Sequence, residues 1–337
     1  MVAPLGYTEL VRILVVRLTA LGDVVLSTAL VSVLRRTLPE AHVELLTEAR
    51  LVALFREASS FDRVIGYDRK GKHAGMAGVA RVRSELDPRY DVVVDLQGKL
   101  RTRALVARLE SPKKLTLTKR SPARALLALF GQNRPIVSAH TIDLYLKVLE
   151  PLGVPFDPDA RTQLRRAPRT SGKKVGLSVG ATHATKCWPG DHFLDLARAI
   201  RSRYSTLEIV PIGGPSDAET VERIAREVNG RNDVPSLDVL GLWRVISDLD
   251  VLVGVDSGPT HLAAAVGVPV VALFGPTSPK RWGPRGSEHR LIAPDLSCAP
   301  CSNTGGKVCP IGTHACLRDL SVDRVLEDTV SLLERPT

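Results

Sequence analysis

The chain has 337 residues, is 44% hydrophobic and carries a formal net charge of +10 at pH 7, with a pI near 9.6. That length exceeds what one hydrophobic core usually organises, so two globular domains are expected, and the basic balance favours an anionic partner. The longest nearly apolar run, LAAAVGVPVVALFG, is broken by Gly267 and Pro269 and falls short of the ~20 residues that cross a bilayer. No basic leader or small-residue cleavage site precedes the first apolar run, which leads us to expect a cytoplasmic protein.

Taken in chain order, RILVVRL, HVELLT, RVIGYD and YDVVVDL read as strands, separated by helical stretches such as STALVSVLRRTLP and GVARVRSELD. Continuous β-branched runs alternating with amphipathic helices indicate a parallel sheet covered on both faces. Residues 1–160 are therefore expected to form one Rossmann-like domain. The proline-rich stretch PLGVPFDPDARTQLRRAPRTSGKK then reads as a linker or domain edge. A second block follows over 172–337, with strands at KVGLSVG, LEIVPIG, DVLVGVD and VPVVALFG. Its helices are expected at GDHFLDLARAIRSRY, DAETVERIAREVN and GPTHLAAAVG. A last helix, SVDRVLEDTVSLLE, is expected on a domain face, with packing back toward the first domain as one arrangement. The fold class is α/β: two facing Rossmann-like domains with ligands in a cleft at the carboxyl ends of their strands.

Several motifs are missing. No G-x-G-x-x-G follows the first strand, and there is no P-loop, nucleophile elbow or zinc-protease helix. The residues present point to a diphosphate instead. In VDSGPTHLAAA a strand ends at Asp256, a turn of Ser257, Gly258 and Pro259 follows, and a helix opens with His261 in its first turn. Unpaired amides at a helix start favour a phosphate there. In LSVGATHATKCW, a strand-to-helix loop carries Thr182, Thr185 and Lys186, and a lysine there supplies a point charge to a leaving phosphate. In PIGGPSDAET, Asp217 and Glu219 stand at a helix start, and one of these acids could accept ribose hydroxyls or serve only the helix dipole. In RLTALGDVV, Asp23 sits beside a glycine at the end of the first strand; its bland role is a cap or first-turn acid.

From Lys99 to Arg134 ten basic residues face the single acid Glu110, with Phe130 the only aromatic. Single-strand nucleic-acid binding wants aromatics interleaved with bases, so no nucleic acid is expected, although a non-catalytic binder of anionic lipid or nucleic acid is an alternative. Cys298, Cys301, Cys309 and Cys316 follow C-x2-C-x7-C-x6-C, with Cys187 apart. A closed structural zinc site, unbound thiols and disulfides all remain open, and an iron–sulfur cluster is compatible.

Jointly, ILVVRLTALGDVVLSTAL, VVDLQGKLRTR, VGLSVGATHATKCWPGDHFLDLA, PIGGPSDAE and VGVDSGPTHLAAAVGVPVVALFGPTSPKRWGP resemble the glycosyltransferase family of ADP-heptose:lipopolysaccharide heptosyltransferases (glycosyltransferase family 9). Ser257 stands where that family more often has Thr, and Pro259 where some members have Leu. The resemblance implies a GT-B fold with the acceptor on the first domain and ADP-heptose on the second. It implies an inverting, metal-independent transfer of heptose to the lipopolysaccharide inner core, at the inner face of the inner membrane. By the same resemblance Asp23 matches the catalytic aspartate. Lys186, with Thr182, Thr185, Asp217, Asp256, Ser257, Gly258, Pro259 and His261, would serve the donor. A transferase of the same fold using another nucleotide sugar or glycan is the alternative.

Overall fold

The computed structural model describes residues 11–118 and 139–335, which divide into two compact units, 11–118 with 139–165 and 166–335. The first unit carries a five-stranded parallel sheet: β1 (Arg12–Val16), β2 (His42–Glu48), β3 (Arg63–Tyr67), β4 (Val92–Asp95) and β5 (Lys113–Thr116), in the order β3-β2-β1-β4-β5. The second repeats the plan with β6 (Lys174–Ser178), β7 (Glu208–Ile212), β8 (Val251–Val255), β9 (Val270–Leu273) and β10 (Arg290–Ile292), in the order β10-β9-β8-β6-β7. Both sheets are parallel throughout, so within each unit the loops leaving the strands gather along one edge.

The eight expected strands are present. The structure adds β5 and β10, each at a sheet edge. Their sequences, KKLT and RLI, are too short and too basic to show a buried pattern. The STALVSVLRRTLP stretch becomes the helix Thr28–Thr37, and a separate short helix, Leu21–Leu26, stands before it. The helices Gly190–Arg203, Ala218–Val228 and Gly258–Ala265 lie where the periodicity puts them.

Central strands β1 and β8 are buried nearly end to end, as parallel strands covered on both faces must be. The helix Val322–Leu333 opens on Ser321, whose hydroxyl accepts the Arg324 N–H at 3.3 Å. It buries Val325, Leu332 and Leu333 in the core formed by Val251, Val253 and Leu273 of the second sheet. Among the described residues no helix is long and apolar enough to cross a membrane.

The turn after β4 braces the first unit. Asp95 is fully buried; its carboxylate accepts the N–H groups of Gln97 and Gly98, both at 2.9 Å, and the Thr102 hydroxyl at 2.9 Å. Gln97 Oε1 in turn accepts the amides of Leu18 and Thr19 at 3.3 and 3.4 Å, fixing the loop that leads from β1 to Asp23. Gly98 sits at φ +61°, and a Cβ there would lie 2.5 Å from the Leu117 carbonyl. Gly98→Ala is expected to cost about 2 kcal/mol for the left-handed backbone, read from the midpoint of urea unfolding.

Candidate functional site

In the first unit, Asp23 lies in the first turn of the helix Leu21–Leu26, its Oδ2 accepting the Ala20 N–H at 3.3 Å. It is thus the first-turn acid of the bland reading, but its other oxygen has further work. Oδ1 forms an ion pair with the Arg17 guanidinium and accepts the Tyr145 hydroxyl at 3.2 Å. The Asp23 side chain keeps 22% exposure, whereas Arg17 keeps 3%. Arg17 also donates to the Leu96 carbonyl at 2.6 Å and lies over the Tyr145 ring at 5.8 Å. Burial works against its charge, but Tyr145 and Asp23 outweigh that and hold its pKa above the ordinary value. The result is an oriented carboxylate, ion-paired through one oxygen and partly exposed.

Sequence reasoning passed over Arg17 and Tyr145. The available signal was the arginine itself, at the carboxyl end of the otherwise apolar strand RILVVRL, where a buried charge requires a partner. A cavity of about 160 Å³ opens along the same sheet edge, lined by Thr19, Glu48, Arg69, Gln97, Lys99 and Arg101 among others. Three cations around one small cavity suit an anionic group. Lys99, Arg101, Arg103 and Arg108 of the basic run are exposed, while Lys119, Arg120, Arg124 and Arg134 lie outside the described residues.

In the second unit the register pairs Ser178 of β6 with Gly254 of β8, which brings the loops after those strands side by side. There the Lys186 Nζ sits 2.8 Å from Asp256 Oδ2, the Thr277 hydroxyl donates to the same oxygen at 2.7 Å, and His261 Nε2 lies 3.4 Å from Oδ1. Lys186, Asp256 and His261 keep 14%, 5% and 7% side-chain exposure. Burial disfavours the Asp256 charge. The His261 hydrogen bond and the Lys186 charge prevail over it, so the carboxyl is held well below the usual carboxylate range. Three of the sequence candidates therefore form one network, and Thr277, which the sequence did not mark, completes it. Asp256 is the buried centre that holds the Lys186 ammonium and the His261 ring; a carboxylate so enclosed does not itself meet a phosphate.

The helix Gly258–Ala265 starts at Ser257 with no side-chain cap and with Pro259 in its first turn. Its first amides, Gly258 and Thr260, are thus left for an outside acceptor beside the Lys186 ammonium and the His261 ring. Asp217 accepts the Gly214 N–H at 2.8 Å and overlies Gly180, at the ends of β7 and β6. Thr182 is exposed on the loop after β6. Thr185 departs from the expected donor contact: it is buried, and its hydroxyl is taken by the backbone of Gly306, accepting the N–H at 2.8 Å and donating to the carbonyl at 3.0 Å.

All five cysteines are free thiols. Cys298, Cys301, Cys309 and Cys316 share one neighbourhood, in which burial first, and then the other three thiols, push Cys316 up to about 11. Among the described residues, however, no group of three or more His, Cys, Asp or Glu is arranged to hold a metal ion. The expectation of a structural zinc is therefore not carried by this geometry.

Two parallel α/β units, the second with an open helix start beside Lys186 and His261 at its strand ends, are the architecture of the nucleotide-binding α/β class. Comparison narrows the class. Residues 79–309 match the profile of glycosyltransferase family 9 (heptosyltransferase), and the chain belongs to that family. It is 28% identical over 291 residues to lipopolysaccharide heptosyltransferase 3 of Escherichia coli K12, covering 78% of this chain and 82% of the relative. Against lipopolysaccharide heptosyltransferase 1 of Pseudomonas aeruginosa it is 31% identical over 222 residues, 63% of this chain and 62% of the relative. The fold is shared with the family 9 glycosyltransferase of Veillonella parvula (TM-score 0.79, 23% identity, 97% and 99% covered). It is shared too with the E. coli heptosyltransferase WaaC solved with ADP (TM-score 0.71, 22% identity, 95% and 99% covered).

Two outcomes follow from the Asp256 network. Lys186→Met leaves a buried carboxylate without its main partner and is expected to destabilise the protein by about 3 kcal/mol, measured by denaturant unfolding. Asp256 titrates lower folded than unfolded, so its stabilisation is complete above the unfolded pKa of about 4 and fades as pH falls through the folded value. The Tm gap between the wild type and Asp256→Asn should therefore be widest near neutrality and shrink below pH 4; a gap independent of pH would contradict the assignment.

Proposed function

We propose that this protein is an inverting heptosyltransferase that moves heptose from ADP-L-glycero-D-manno-heptose to the inner core of lipopolysaccharide. The observation that carries the reading is the Lys186–Asp256–His261 cluster beside the open start of the helix Gly258–Ala265, in a chain of family 9. Amides and cations together bind a diphosphate and stabilise charge on it as it leaves. In this reaction an acceptor hydroxyl oxygen attacks the anomeric carbon on the face opposite ADP. The new C–O bond forms as the bond to the β-phosphate oxygen breaks, the electron pair departs with ADP, and the hydroxyl proton passes to the Asp23 carboxylate.

Asp23 suits that step because Arg17 and Tyr145 hold and aim its carboxylate through one oxygen while the side chain keeps partial exposure. No covalent intermediate is required, and no step is assigned to a metal ion. Thr182 and Asp217 are the groups we assign to the nucleoside end of the donor, Asp217 through the part of its carboxylate not used by Gly214. The cavity bordered by Arg69, Lys99 and Arg101 is assigned to an anionic group of the acceptor. Residence in the cytoplasm with peripheral contact to the inner membrane belongs to the same proposal. Its support is Leu100, 87% exposed between Lys99 and Arg101, a pairing of apolar and basic groups that suits an anionic lipid surface.

Incubation with ADP-heptose and defined truncated lipopolysaccharides, with ADP release as the readout, tests the reading. A panel of other nucleotide sugars should turn over far more slowly. Asp23→Asn is expected to keep donor affinity and to lose turnover by ~10²–10⁴, the range for a positioned general base. Undiminished turnover in that variant would remove Asp23 from the reaction.

A further inference from the structure

The cysteine-rich loop plays no part in the chemistry above, yet it is tied to the donor residues at several points. Its first turn hangs from the loop after β9, where the amides of Cys301 and Ser302 both donate to the Pro276 carbonyl, at 3.0 and 2.8 Å. Pro276 immediately precedes Thr277, the hydroxyl donor to Asp256. The Trp282 indole N–H donates to the Asn303 carbonyl at 2.8 Å, and Ser302 Oγ accepts the Gly305 amide at 2.9 Å, closing a tight turn.

That turn is pressed against the residues that carry Lys186. Thr185 and Gly306 exchange three hydrogen bonds: the Thr185 amide donates to the Gly306 carbonyl at 3.2 Å, and the hydroxyl both accepts from and donates to the same residue. Farther along the loop, His314 Nε2 donates to the Thr185 carbonyl at 2.8 Å. Gly305 stands at φ +87°, and a Cβ there would come within 2.8 Å of both Cγ and Cδ of Lys186 and 2.9 Å of His183 Cβ. The loop backbone thus lies directly on the aliphatic stem of the lysine, at a distance only glycine permits.

We infer that the 301–306 turn of the cysteine loop, through Thr185 and Gly305, is the positioning element for the Lys186 ammonium at the donor diphosphate. A lysine side chain on a short 3₁₀ turn has several rotatable bonds and loses rotamer freedom when fixed. Here the loop holds both the backbone beneath it and the stem along it, so the ammonium is already placed before the donor arrives. Such placement acts on the step in which charge leaves with ADP, because a misplacement of about 1 Å in a reacting geometry costs ~10²-fold in rate. Thr185 and Gly305 are positioning residues; neither needs to touch the substrate. The inference rests on the proposed role of Lys186, and its test separates the two.

Thr185→Val keeps the shape of the side chain and removes the hydroxyl, Gly305→Ala puts a methyl against the lysine stem, and Thr185→Ser restores the hydroxyl. Each is compared with Lys186→Met, well below its own Tm, for kcat, donor KM and the stoichiometry of ADP binding by calorimetry. The expected result is a kcat lower by roughly tenfold to a hundredfold in Thr185→Val and Gly305→Ala, with donor KM changed less and one ADP still bound per chain. Thr185→Ser should recover most of the rate. A merely structural role would instead lower the ADP stoichiometry along with the rate, and that pattern overturns the inference. Wild-type kcat in Thr185→Val alongside an inactive Lys186→Met overturns it too while leaving the role of Lys186 intact. An undiminished Lys186→Met overturns both.

Discussion

The second unit is organised around one buried carboxylate. Asp256 follows the central strand β8, all of whose residues are buried, and an isolated charge there would be prohibitively unstable. It is tolerated because Lys186 from the turn after β6, His261 from the helix after β8 and Thr277 from the loop after β9 converge on it. The same convergence fixes those loops relative to one another. The ends of β6, β8 and β9 are thereby held as one surface, with the open helix start beside it. Such an ion pair contributes modest net stability because desolvation offsets much of the attraction, but it sets a single arrangement of loops and brings an ammonium and an imidazole to the place where a diphosphate would lie.

The first unit solves a comparable problem in reverse. There the buried partner is the cation, Arg17, and the carboxylate is the half-open one. Arg17 is held by the Leu96 carbonyl and the Tyr145 ring, and the β4 turn, through Asp95 and Gln97, fixes the backbone that carries both members of the pair. A carboxylate treated this way is fixed in orientation by a buried cation, an arrangement that would suit a proton acceptor for a sugar hydroxyl.

Much of this could be read from the residues. The continuous apolar runs of the central strands gave the parallel sheets, and the amphipathic spacing in GDHFLDLARAIRSRY and DAETVERIAREVN gave the helices between them. The edge strands KKLT and RLI escaped because an edge need bury only one flank and so leaves little pattern in three or four residues. For the sites, residue types in strand-end loops located Asp23, Lys186, Asp256 and His261, but not what each touches. Partner choice depends on side-chain direction and sequence-distant contacts, so Tyr145, Thr277 and Gly306 left no local signature. Thr185 shows the difficulty: a threonine in a phosphate-facing loop looks like a ligand contact until a backbone more than a hundred residues away is seen to occupy its hydroxyl.

The helix Val322–Leu333 comes after every strand of the sheet it covers, and it closes the second core with Val325, Leu332 and Leu333. During synthesis the first unit can complete its own sheet while the second still lacks a wall. The loops around Asp256 ride on that sheet, so the surface that carries Lys186, Asp256 and His261 is braced by a segment made after all of its strands.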